Sequence, residues 1–196
     1  VLPHWNWEGR EGEVTPVFAY TNFPSAELFV NGKSMGVQHK NDSSPQNRYR
    51  LMWMDVKYEP GTIEVVAYDK DGNQKLSKQI STAEEPYQIK LEADRTRLMA
   101  DGNDLAFVTV SVVDRQGRPC PTATNQLQFK VKGEGTYRAA CNGDATSLEM
   151  FHLPTMQLFS GKLVVLVQSS KAEGKINLTV TGTGLKKAEL ALQSFQ

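Results

Sequence analysis

Ala26-Glu27-Leu28-Phe29-Val30-Asn31-Gly32-Lys33-Ser34-Met35-Gly36-Val37 reads as a strand, a two-residue turn and a returning strand. Asn31-Gly32 is the dipeptide a tight hairpin favours, because both central residues of its turn need positive φ. The same grammar extends in both directions. Val17-Phe18-Ala19-Tyr20-Thr21 is a β-type run upstream; downstream, a polar loop over 40–46 leads to a strand expected over 48–56. There Tyr49, Leu51, Trp53 and Asp55 fall on one face, and Arg50, Met52 and Met54 on the other. Pro60-Gly61 turns the chain into the β-prone run 62–68, and Asp71-Gly72-Asn73 turns it again into 74–81. Trp53, Tyr20, Phe18 and Phe29 are expected in the core.

Thr82-Ala83-Glu84-Glu85-Pro86 is short, polar and closed by Pro, which suits an inter-domain joint. The expected domains are therefore 1–83 and 84–196. A second cycle of strands is expected over 87–92, 105–114, 127–131, 137–141, 162–168, 175–181 and 187–192. The two halves echo each other weakly: Ala67-Tyr68-Asp69-Lys70-Asp71-Gly72-Asn73 and Val112-Val113-Asp114-Arg115-Gln116-Gly117-Arg118 both leave a strand into a Gly turn. No window carries a helical stripe. Short strands at regular spacing predict an all-β chain of two consecutive immunoglobulin-like β-sandwiches.

Composition removes several functions. The chain has 196 residues with 22 basic and 22 acidic side chains, so its formal charge is zero. That balance gives no general attraction to nucleic acid or anionic membranes. The longest apolar run, 163–167, is far short of the ~20 residues that span a bilayer. Val1-Leu2-Pro3-His4-Trp5 reads as a chain already in progress, with any export signal expected upstream. Two cysteines, Cys120 and Cys141, are too few for a disulfide framework and read as free thiols. His4, His39 and His152 are far apart with no ligand spacing, so no metal or cofactor is expected. Asp101-Gly102-Asn103-Asp104 and Asn142-Gly143-Asp144 read as turns rather than Ca²⁺ loops. No nucleophile elbow or phosphate loop occurs.

Leu2-Pro3-His4-Trp5-Asn6-Trp7-Glu8-Gly9-Arg10-Glu11-Gly12, the hairpin at 26–36, Tyr49-Arg50-Leu51 and Val56-Lys57-Tyr58-Glu59-Pro60-Gly61 carry a specific resemblance. Together they resemble the region just after the catalytic barrel in family 2 glycoside hydrolases of the β-galactosidase type found in gut Bacteroidetes. Ala100-Asp101-Gly102, the Val-rich strand, Asp114-Arg115-Gln116-Gly117 and Asn142-Gly143-Asp144 make the second half similar to the Ig-like C-terminal domain of those enzymes. The resemblance covers nearly the whole chain. It implies a longer retaining glycosidase, exported to the periplasm or cell surface, with both catalytic glutamates on a barrel absent from these residues. No catalytic residue is assigned here. Glu8, Glu11 and Glu13 lie on a Gly-rich segment that does not oppose them across a cleft, as a retaining pair about 5 Å apart requires.

His4-Trp5-Asn6-Trp7 is the candidate substrate-binding cluster. Sugar faces stack on indole and sugar hydroxyls bond to amides. The resemblance places this segment near the galactose pocket of the intact enzyme; the alternative is that both indoles pack at the junction with the barrel. Three roles follow in order of preference. The first is a non-catalytic accessory region that buttresses the barrel of the same chain and shapes its pocket edge, leaving Trp5 and Trp7 exposed without the barrel. The second is a carbohydrate-binding module holding an oligosaccharide. The third is a surface module that binds protein. Homo-oligomer formation would come through the parent enzyme.

Overall fold

Fifteen strands and no helix form in the structure, a computed structural model that describes residues 1–196. Each unit is an immunoglobulin-like β-sandwich, and the chain divides into Val1–Ala83 and Glu84–Gln196.

The first unit holds β1 (Val17–Tyr20), β2 (Ser25–Val30), β3 (Lys33–His39), β4 (Arg50–Trp53), β5 (Thr62–Tyr68) and β6 (Gln74–Ser81). Strands β3-β2-β5-β6 make a four-stranded antiparallel sheet, and β1-β4 a two-stranded one. Asn31 and Gly32 join β2 to β3 with φ of 49° and 79°, the positive pair that this turn demands. Alternation then sorts the side chains. Ala26, Leu28, Val30, Ile63, Val65 and Ala67 point inward from the larger sheet, and Val17, Ala19, Leu51 and Trp53 from the smaller. Hydrogen bonds from Thr15 N–H to Val56 O (2.6 Å) and Tyr58 N–H to Glu13 O (2.9 Å) continue the small sheet beyond its strands. On its other edge, Leu2 and Phe18 exchange two backbone bonds of 2.8 Å.

Two expectations for this unit are corrected. The strand expected over 48–56 is only Arg50–Trp53, and Tyr49 and Asp55 beyond its ends are exposed. Trp53 is core, but Tyr20 is 55% exposed and Phe18 and Phe29 are only half-buried, Phe29 because Leu28 and Val30 hold the inward positions of β2. Val17 and Ala19 occupy the inward positions of β1, so Phe18 and Tyr20 must face outward.

The second unit holds β7 (Gln88–Ala93), β8 (Arg97–Met99), β9 (Leu105–Val113), β10 (Gln126–Gly133), β11 (Gly135–Cys141), β12 (Thr155–Gln157), β13 (Lys162–Ser169), β14 (Gly174–Gly182) and β15 (Ala188–Phe195). One sheet runs β11-β13-β9-β7 and the other β12-β10-β14-β15-β8. Val108, Val110 and Val112 of β9 are fully buried, as are Val165, Val167, Leu127, Ile176, Leu178 and Val180 of the neighbouring strands. Each such side chain contributes roughly 1.5–3 kcal/mol on burial. Strands β8 and β12, three residues each, were not foreshadowed by any run of their own. Cys120 is buried and Cys141 exposed, both as free thiols.

The weak echo between the halves is one turn built twice. Asp69 Oδ1 accepts the N–H of Asp71 (2.9 Å) and Asn73 (2.8 Å); Asp114 Oδ1 accepts those of Gln116 and Arg118, both at 2.9 Å. The two differ in surroundings. Lys75 pairs with Asp69 at 2.9 Å on the surface. The Asp114 side chain is wholly buried, with its second oxygen taken by the Glu84 N–H (3.0 Å) and Arg118 Nε (2.6 Å). Burial by itself raises the Asp114 carboxyl, but bonds from the Glu84 amide and from the amide and guanidinium of Arg118 outweigh it and hold the pKa at about 2.

Candidate functional site

The segment from His4 to Arg10 is pinned onto its own domain. Trp5 is completely buried; its indole N–H donates to Glu59 O at 2.8 Å, and its ring meets Tyr58 edge-on with centroids 5.1 Å apart. The Thr82 hydroxyl donates to the Trp5 carbonyl. Both ends of the Asn6 amide grip the backbone of Ala83: Oδ1 accepts its N–H at 3.0 Å and Nδ2 donates to its carbonyl at 2.9 Å. The start of the chain is thereby tied to the last residues of the same unit.

Trp7 and His4 lie outside that core. The His4 ring stacks on Trp7 with centroids 4.4 Å apart and planes 23° from parallel. The Arg10 guanidinium lies 5.2 Å from the centre of the Trp7 ring and bonds Glu13 at 2.8 Å. His4 Nδ1 accepts the Asn6 N–H at 3.2 Å. Partial burial lowers the His4 pKa, which keeps the ring neutral and that nitrogen an acceptor at pH 7. Trp7 Nε1 is shut from solvent without a hydrogen-bond partner, a donor the domain leaves unsatisfied.

The four sequence candidates are thus gathered in one place, but with different fates. The expected exposure of Trp5 is corrected: it is a core residue, because its N–H finds a carbonyl only inside the sandwich. Asn6 spends its amide on Ala83. Only His4 and Trp7 offer side-chain surface, and the Trp7 ring already carries His4 and Arg10. Arg10 was missed by sequence reasoning; its signal was the turn Glu8-Gly9, which returns the chain so that the Arg10 N–H bonds Trp7 O at 3.0 Å. A cleft of about 330 Å³ in this domain is lined by Val30, Asn31, Lys33, Met35, Asp55, Lys57 and Glu59, none of them in the cluster. Glu11 accepts the Gly9 N–H (3.3 Å) and Glu13 pairs with Arg10, so these acids serve the local loop.

Residues 89–191 match the model for glycoside hydrolase family 2 C-terminal domain 5. The chain belongs to glycoside hydrolase family 2. Residues 12–75, in the first sandwich, match a domain of unknown function (DUF4982). Among family 2 relatives, the β-galactosidase BoGH2A of Bacteroides ovatus is 40% identical over 195 residues, covering 99% of this chain and 22% of the relative. A β-glucuronidase of Formosa agariphila is 29% identical over 198 residues, covering 100% of this chain and 19% of that protein. A solved family 2 structure from Bacteroides cellulosilyticus superposes with a TM-score of 0.91 at 32% identity, over 100% of this chain and 24% of that one. The chain therefore spans about a fifth of the length of the curated relatives it matches.

Proposed function

We propose that these two sandwiches are the non-catalytic accessory region of a periplasmic or cell-surface family 2 enzyme that hydrolyses terminal β-D-galactosides. They buttress the catalytic barrel of the same polypeptide, and His4 and Trp7 shape the edge of its pocket. The observation that carries this reading is the 40% identity to a β-galactosidase across 99% of the chain, against 29% for the β-glucuronidase. The folded cluster supports the accessory role over a carbohydrate-binding module: Trp5 and Trp53 are buried and Trp7 is already stacked, so no indole is free to serve as a glycan platform.

The test compares the gene-length polypeptide with the 196-residue chain on nitrophenyl β-D-galactoside and β-D-glucuronide. The longer protein is expected to cleave the galactoside in preference, and the chain alone to cleave neither. Titrating the chain with galactose-terminated oligosaccharides should leave its tryptophan fluorescence flat. A saturable change in that titration would overturn the accessory reading, and a preference for the glucuronide would overturn the galactosidase one.

A further inference from the structure

The two outward faces of the first sandwich are built to different rules. On the four-stranded sheet, Glu27 accepts hydrogen bonds from the Ser34 hydroxyl and from Tyr68 OH (3.0 Å), and Glu64 accepts one from Ser77. Between those polar pairs the same face holds Phe29, Val37 and Val66, so its apolar side chains are interrupted by carboxylates that already have partners. The outward face of the β1-β4 sheet instead presents Phe18 opposite Met52 and Tyr20 opposite Arg50. Leu2, bridged to Phe18, is 54% exposed and Met54 50% exposed. The Arg50 guanidinium lies 5.4 Å from the Phe18 ring centre, and its Nε is shut from water with no acceptor. Apolar and aromatic side chains around an unsatisfied arginine are the makings of an interface core.

We propose that this face is the docking surface for the domain that precedes Val1 in the parent enzyme, a proposal that rests on the accessory reading above. Two observations select that occupant. The backbone of Leu2 is paired to the edge of this sheet, so any polypeptide before Val1 leaves from beside the apolar face. The matched family model is that of a C-terminal domain, and the matched relatives carry roughly four-fifths of their length outside the shared region. The docked surface is apolar at its centre and brings a carboxylate or a backbone carbonyl to the terminal nitrogens of the Arg50 guanidinium, which lie outside the closed-off Nε.

Hydroxyl-radical footprinting of the 196-residue chain and of the gene-length polypeptide tests this, with a readout independent of activity. Tyr20, Met52 and Met54 should react in the chain alone and lose at least about five-fold of that reactivity in the longer protein, whereas Val37 on β3 should not change. Arg50→Glu should restore reactivity in the longer protein while moving the melting temperature of the chain alone by less than about 3 °C. Equal reactivity of the three residues in both proteins overturns the proposal. Protection in the chain alone that grows with its concentration also overturns it, because the occupant is then a second copy. A gene-length polypeptide that cleaves no glycoside refutes the functional reading, and the footprint still decides the docking surface on its own.

Discussion

Asn in place of Asp is a sharp probe here, because the same turn occurs twice in different surroundings. In Asp114→Asn one oxygen remains to accept two of the four donors, those of Gln116 and Arg118 N–H. The new amide nitrogen then confronts the Glu84 N–H and Arg118 Nε–H, donor against donor. Rotating the amide only exchanges which pair is lost. Leaving a buried donor unsatisfied costs ~1–3 kcal/mol, and Arg118 also loses its charge partner, so the total is about 3 kcal/mol or more. For a domain of this size that lowers the melting temperature by ~10–20 °C. Asp69→Asn makes the same change at the surface, where water satisfies the donors left over and Lys75 is solvated, and should cost far less. The pH dependence follows from the depressed Asp114 pKa of about 2. Its stabilisation is fully present above the unfolded carboxylate range near ~4 and is lost as pH falls through that range towards about 2. Thermal melts by far-ultraviolet circular dichroism, with amide exchange of the β9 peptide as a local readout, measure all of this. Equal losses in the two variants, or an Asp114→Asn melt within a few degrees of wild type, would refute the reasoning.

Three further outcomes are expected. Trp5→Ala should cost ~3–5 kcal/mol and cripple the first sandwich, whereas Trp7→Ala should cost far less; urea titration followed by Trp53 fluorescence separates them. Native protein should expose one thiol to a disulfide reagent at pH 7, Cys141, because burial shields Cys120 and pushes its pKa up to about 11; the second thiol should appear only on denaturation. Gly161→Ala should cost roughly 2 kcal/mol or more in chemical denaturation, since Gly161 sits at φ +72° and a Cβ there would lie 2.1 Å from the Cys120 carbonyl oxygen.

Local pattern carried the fold wherever the decisive contact lies nearby in sequence. The Asn31-Gly32 hairpin, the strand over 105–114 and the two echoing Gly turns needed only side-chain alternation and turn chemistry. Strand β8 escaped because three residues show no period, and its partner, the end of β15, is about a hundred residues distant. Tyr20 and Phe18 were misplaced because aromatic character alone does not say which face of a strand is buried; the alternation of Val17 and Ala19 does. At the candidate site the residue types were legible, but the division of labour was not. Trp5 and Trp7 are the same amino acid two positions apart. Only the distant Glu59 carbonyl and the Tyr58 ring make one of them core.

Strand β15 closes the second sandwich by pairing in parallel with β8, and Phe195 O accepts the Ala100 N–H at 2.7 Å. This gives the two domains different timetables on the ribosome. The first has all its strands once Ser81 has emerged and can close while the rest is still being translated. The second must keep β8 waiting, and the edge of β14 bare, until its final strand arrives. A stall before the codons of β15 are read would therefore yield a chain with one finished domain and one open sheet edge, the species that chaperones and proteases would be the first to meet.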